Sequence, residues 1–186
     1  LAASYTMELL EAAGLPPGVI NMVTGDGLAV SEVALAHRDL AGIHFTGSTA
    51  TFRHLWHTVA ANLEAYRGYP RIVGETGGKD FVFAHPSADP DVLRTALIRG
   101  AFEFQGQKCS AASRAYIPRS LWRVIKDDLI DLTEGLTQGD VTDLSNFMGA
   151  VIDERSYARN VTAIERARGA AGVSVLAGGR YDDTAG

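Results

Sequence analysis

The stretch from Glu103 to Pro118 reads EFQGQKCSAASRAYIP and holds the only cysteine of the chain. With the Lys108 ammonium immediately before it and oriented backbone amides around it, the Cys109 thiol has a setting that favours the thiolate and its attack on a carbonyl carbon. Free cysteine is also among the most buried residue types, so an inert core thiol is the competing reading. Glu75, in GETGGKD, ends an apolar strand beside Gly77 and Gly78. A partly desolvated carboxylate there would act as a general base on water or on a thiol; the alternative is a surface glutamate beside a Gly-Gly turn. In HFTGST, a strand end, Gly47 and Ser48 precede a long helix. Such a junction turns backbone N–H groups and the positive end of the helix dipole toward a phosphate. One glycine falls short of a dinucleotide fingerprint, and the spacing also fits an ordinary turn in which Ser48 caps the helix.

Other chemistries fit less well. A papain-like thiol hydrolase needs a histidine with a supporting Asn or Asp, and His37, His44, His54, His57 and His85 all lie upstream of Cys109 without one. These histidines show no metal-ligand spacing; His54 and His57 can share a helix face and read as solvated, so no metal is expected.

Helix and strand signals alternate around these residues. Met7, Leu10 and Ala13 recur at helical spacing before a stop at Gly14 and two prolines. VINMVTG reads as a short strand, LAVSEVALAHRD as a helix and AGIHFTGS as a strand. From Ser48 onward, Phe52, Leu55, Trp56, Val59, Ala60 and Leu63 form one apolar helical face. RIVGE and DFVFAH read as strands flanking Gly77-Gly78, and SADPDVLRTALIRGAF as a helix with Asp89 as N-cap and Pro90 at its first position. Gln105, Gly106 and Gln107 break that helix. SRAYIP reads as a strand, Ser120 as the cap of an amphipathic helix carrying Leu121, Ile125, Leu129 and Leu132, and Asp153 as the start of a helix that Gly169 ends. VSVLAGG reads as a further strand. Strands separated by helices imply parallel pairing and an α/β fold. A change of character near ETGGKD places a domain boundary there, giving 1–78 and 79–186.

Composition narrows the class. The 186 residues are 46% hydrophobic with a net charge of −5 and acids and bases interspersed, enough for a real core and without the basic, aromatic-rich track of a nucleic-acid binder. One cysteine excludes an internal disulfide framework. No apolar run is long enough to span a bilayer and the N-terminus has no signal-peptide pattern, so neither membrane nor nucleic acid is an expected partner and a cytoplasmic-type protein is expected. The chain starts at Leu1 and stops on the turn-like GGRYDDTAG, from which a longer polypeptide is expected.

The order FTGST, ETGGKD, FQGQKC resembles the NAD(P)-dependent aldehyde dehydrogenase superfamily, whose usual strings are F-T-G-S, E-[LT]-G-G-K and G-Q-x-C. The likeness extends to GLPPGVINMVTGDG upstream and to GDVTDLSNFMGAVID and LAGG downstream, with Val141 where many members have proline. Threonine in ETGGKD, the GQKCSAASRAYIP string and the FTGSTATFRHLWHTVAANLEAYRGYPRIVGE segment are most similar to the branch that oxidises glutamate γ-semialdehyde, the open form of 1-pyrroline-5-carboxylate, to glutamate in proline catabolism. This resemblance implies an aldehyde dehydrogenase-like α/β fold, with 1–78 the C-terminal part of a Rossmann-like NAD-binding domain and 79–186 the N-terminal part of the catalytic domain. It implies Cys109 as nucleophile and Glu75 as base; Thr46, Gly47, Ser48 and Gly77 at the cofactor; and Lys108 and Ser110 at the carboxylate of the substrate. NAD is the implied cofactor, NADP its alternative, and a homo-oligomer the implied state of the full-length chain, in the mitochondrial matrix if the source is eukaryotic. The family's oxyanion asparagine, its E-x-F-G-P motif and its substrate-anchoring loop fall outside these residues, so the 186-residue piece is expected to be inactive alone. Another semialdehyde dehydrogenase and a catalytically silent NAD-binding fragment are the alternatives.

Overall fold

In the computed structural model, which describes residues 1–184, the strand ending at Gly47 and the strand ending at Thr76 run side by side in parallel. The chain divides into two compact units, Leu1–Thr76 and Gly77–Gly186. Ala185 and Gly186, the end of the expected turn-like terminus, lie outside the described residues.

The first unit begins with helix α1 (Ala2–Ala12), which buries none of its side chains and stops before Gly14, whose φ of 91° only glycine adopts without strain. Helix α2 (Gly27–Ala36) starts at Asp26, whose carboxylate accepts the Leu28 and Ala29 amides, each at 3.0 Å. Strand β1 (Gly42–Gly47) leads through Ser48 into helix α3 (Thr49–Ala61), and strand β2 (Arg71–Thr76) returns beside β1. The α3 stripe packs as its period requires: Leu55 and Val59 are buried with Leu35 and Tyr66, against Ile43, Phe45 and Ile72 of the strands. Phe52 stacks toward Phe45 at 6.2 Å between ring centroids and lies directly over Gly74, where a Cβ would collide with its ring. Trp56 and Leu63, on the edges of the stripe, remain exposed. Tyr66 resolves its buried hydroxyl by donating to the Leu35 carbonyl at 2.6 Å.

The second unit pairs β3 (Asp80–Phe83) with β4 (Ala112–Tyr116), again in parallel, with the register broken between Asp80 and Phe81. Between them lie helix α4 (Pro90–Phe102), capped by Asp89 with Pro90 at its first position, and a 3₁₀ turn, Glu103–Gly106. Helices α5 (Arg119–Glu134) and α6 (Glu154–Gly169) follow. Leu93 and Leu97 of α4, Leu121 and Ile125 of α5 and Ala84 form the core, with Ile125 wholly enclosed. Arg94 of α4 pairs with Asp91 and, across to α5, with Asp128.

Three expected features differ. VINMVTG and VSVLAGG are not strands: both have β-branched residues, but a strand exists only through its ladder, and neither pairs with a strand among the described residues. Helix α5 starts one residue before Ser120, at Arg119; Pro118 is its N-cap, with no side-chain cap bond, so Ser120 sits inside the first turn. The expected caps at Asp89 and Asp153 are in place, Asp153 accepting the Ser156 amide at 2.7 Å.

Candidate active site

Parallel strands deliver their carboxyl ends to one edge, and in the first unit that edge collects chemistry. In the β1–β2 register Thr46 stands opposite Glu75, and Gly47 opposite Thr76, so the expected base and the expected phosphate-facing turn share one end of one sheet, the usual ligand edge of α/β folds. Ser48 adopts the extended N-cap conformation and its hydroxyl accepts the Thr51 amide at 3.0 Å. The first amides of α3, those of Thr49 and Ala50, have no carbonyl of their own helix to accept them. Beside this terminus an open groove of about 470 Å³ is lined by Gly27, Leu28 and Ser31 of α2 and by Ala50, Thr51 and His54 of α3. Two helix N-termini thus border one groove, although Asp26 already occupies the leading amides of α2.

Glu75 is exposed within its unit. The partial desolvation expected for it is not supplied there, because β2 alternates and turns Ile72, not Glu75, toward the core.

Cys109 belongs to the second unit and is exposed, outside either core. It follows a backbone run that side chains rarely adopt: Phe104 has φ 51°, Gln105 59° and Gly106 68°. Non-glycine residues there are disfavoured by contact between Cβ and the backbone, and such conformations persist where their surroundings hold them. Glu103, partly buried at the start of the turn, receives Lys108 Nζ at 2.6 Å and also pairs with Arg99. The Lys108 hydrogen bond, with the charge of Arg99 adding to it, holds the Glu103 carboxyl below the usual glutamate range. Lys108 Nζ also lies 5.2 Å from the centre of the Phe104 ring. The ammonium beside the thiol is therefore engaged, whereas Ser110 is exposed.

Of the two glycines in ETGGKD, Gly77 has nothing near the place of a Cβ, but at Gly78 a Cβ would collide with the Cys109 carbonyl oxygen. Gly78 is thus the floor on which the thiol-bearing turn rests. Sequence reasoning had the Gly-Gly pair but not which member matters, and it missed Glu103, Gln105 and Gln107 as partners that shape the loop. Among the described residues no group of three or more His, Cys, Asp or Glu is arranged to hold a metal ion, and no helix is long and apolar enough to cross a membrane.

One sheet edge thus gathers a helix N-terminus and a carboxylate, and an exposed thiol on a left-handed turn follows along the chain. The profile of the aldehyde dehydrogenase family matches residues 1–186, and the chain belongs to that family. Within it, the chain is similar to the delta-pyrroline-5-carboxylate dehydrogenase of Mycobacterium tuberculosis solved with NAD bound, at 67% identity and a TM-score of 0.96 over 98% of this chain and 34% of that one. It is 45% identical to the mitochondrial delta-1-pyrroline-5-carboxylate dehydrogenase of Danio rerio over 188 aligned residues, covering 100% of this chain and 34% of the relative. The 1-pyrroline-5-carboxylate dehydrogenase from Thermus with bound NAD has 27% identity and a TM-score of 0.87, over 97% of this chain and 34% of that one. The chain spans about a third of the length of the relatives it matches.

Proposed function

We propose that this chain is the part of an NAD-dependent 1-pyrroline-5-carboxylate dehydrogenase that carries the nucleophile, the base and the phosphate-facing helix, and that the full polypeptide oxidises glutamate γ-semialdehyde to glutamate. The observation that carries this reading is the exposed Cys109, the chain's sole thiol, presented by a left-handed turn. In this reading 1–78 is the end of the cofactor domain and 79–186 the start of the thiol-bearing domain.

The Cys109 thiolate adds to the aldehyde carbon, making a C–S bond and an alkoxide that the Cys109 backbone N–H receives. When bound, NAD supplies the two-electron acceptor for the hydride that leaves this carbon. The carbon then remains on Cys109 as a thioester. Glu75 takes a proton from a water whose oxygen adds to the thioester carbon, the C–S bond breaks, and glutamate leaves. Thr46, Gly47, Ser48 and Gly77 line the cofactor. The α3 terminus and the groove beside it suit a dinucleotide, with unbonded leading amides for phosphate and a trough bordered by Leu28 and His54 for a ring. Ser110 receives the substrate carboxylate, and Lys108 adds to it by sharing its ammonium with Glu103. The full polypeptide acts as a homo-oligomer, in the mitochondrial matrix if eukaryotic and in the cytoplasm otherwise.

Burst kinetics on the full polypeptide test the roles of Cys109 and Glu75. Glu75→Gln keeps one stoichiometric burst of NADH and slows the steady state by about 10²–10⁴-fold, while Cys109→Ser removes both. A steady state unaffected by Glu75→Gln sinks the assignment of the base.

A further inference from the structure

We propose that Gln105 and Gln107 are positioning residues that latch the Cys109 turn onto the Ala150–Ile152 segment and so hold the left-handed backbone that presents the thiol; the proposal rests on Cys109 being the nucleophile. Gln105 Nε2 donates to the Ala150 carbonyl at 2.9 Å, and the Ile152 amide donates to Gln107 Oε1 at 2.9 Å. The polarity of both bonds is set by the backbone partners. A carbonyl only accepts, so Gln105 must offer its NH₂; an N–H only donates, so Gln107 must offer its oxygen. The two glutamines flank Gly106, which closes the left-handed run at φ 68° and where a Cβ would stand 2.8 Å from the Ala101 carbonyl.

The receiving segment is itself anchored. Gly149 is buried, with room for no side chain: a Cβ there would be 2.7 Å from Val141 Cγ1 and 3.3 Å from Gln105 Nε2. Its carbonyl accepts Gln138 Nε2 at 3.1 Å, and the Gly139 amide donates to the Met148 carbonyl at 3.1 Å. A continuous path therefore runs from the end of α5, through Gln138–Gly139 and Met148–Ile152, to the two glutamines and Cys109. On its other side the thiol segment rests on Gly78. Phe104 and Gln105 have no intrinsic reason to be left-handed, and a latch on each side of Gly106 supplies one.

The test uses the 186-residue chain, with amide hydrogen exchange at Ile152 and iodoacetamide labelling of its sole thiol. In the wild type the Ile152 amide is protected, and Cys109 labels at a rate distinct from that of the same chain in concentrated urea. Gln107→Ala lowers Ile152 protection by about 2- to 13-fold, the range of one net hydrogen bond. Gln107→Glu retains an acceptor and keeps both readouts at wild-type values. Gln105→Glu cannot donate and sets a carboxylate against the Ala150 carbonyl, so it behaves as Gln105→Ala, and both shift the labelling rate about twofold or more toward the urea value. If the alanine variants lose their far-UV circular dichroism, the contrast between the two glutamate variants decides. The proposal is overturned by an unprotected Ile152 amide in the wild type, by a wild-type labelling rate equal to that in urea, or by Gln105→Glu matching the wild type. Neither readout involves aldehyde or NAD, so an absent dehydrogenase activity would count against the proposed function and leave the latch standing.

Discussion

A Cβ at Gly78 would run into the carbonyl oxygen of Cys109, whereas one at Gly77 would meet nothing within 4 Å. Gly78→Ala must therefore move the backbone of the thiol segment, destabilising the second unit by about 1–3 kcal/mol, while Gly77→Ala leaves its packing intact. Urea unfolding of the two variants checks this, and equal midpoints would contradict it. Glu103 carries a prediction of definite sign. Its carboxyl is held low chiefly by the Lys108 hydrogen bond, so its contribution is present above the ordinary glutamate value, about 4.3, and is lost as pH falls through the lower folded value. The stability gap between wild type and Glu103→Gln should close as pH is lowered from neutrality to below that folded value; a gap that widens in acid has the wrong sign. Cys109, Glu75 and Ser48 were legible as candidates because each stands in a short string whose residue types suit the chemistry proposed for it. The left-handed Phe104 and Gln105 were not, since neither residue type favours that backbone and the bonds that hold it come from residues 45 positions further along the chain.

Helices were read well where a cap and a stripe agreed. In α3 the Ser48 hydroxyl takes the Thr51 amide while Leu55 and Val59 face the core. Ser48→Ala should cost the first unit about 0.5–2 kcal/mol, measurable by thermal or urea unfolding, and Ser48→Asp should recover most of it because a carboxylate also accepts that amide. Recovery is the informative arm, since a variant at Ser48 that destabilises through lost packing would not be rescued by aspartate. Strands were read well only where a partner followed. GIHFTG and RIVGET pair with each other, and DFVF with ASRAY, but VINMV and VSVL have the same local composition and no ladder. Local propensity marks a segment as able to be a strand, and the tertiary neighbour decides whether it becomes one. The α5 start shows the same limit at smaller scale: Ser120 suits a cap, yet Pro118 takes the cap position and the helix already begins at Arg119.

At the scale of the whole molecule, the order of the pieces carried more than any piece alone. One glycine before a helix, one glutamate before two glycines and one cysteine each have an ordinary structural explanation; their succession along a chain of alternating helices and strands is what resembles the aldehyde dehydrogenase family, whose profile matches residues 1–186. Glu75 belongs to the first unit and Cys109 to the second, which is why periodicity and capping, both local signals, could not establish that they serve one reaction. Mass spectrometry of the Cys109 peptide tests that proposed joint role. Full-length Glu75→Gln polypeptide is mixed with glutamate γ-semialdehyde, with and without NAD, and quenched after one turnover. If both residues serve one reaction, a glutamyl thioester accumulates on Cys109 only with NAD; no adduct, or an adduct on another residue, would contradict it.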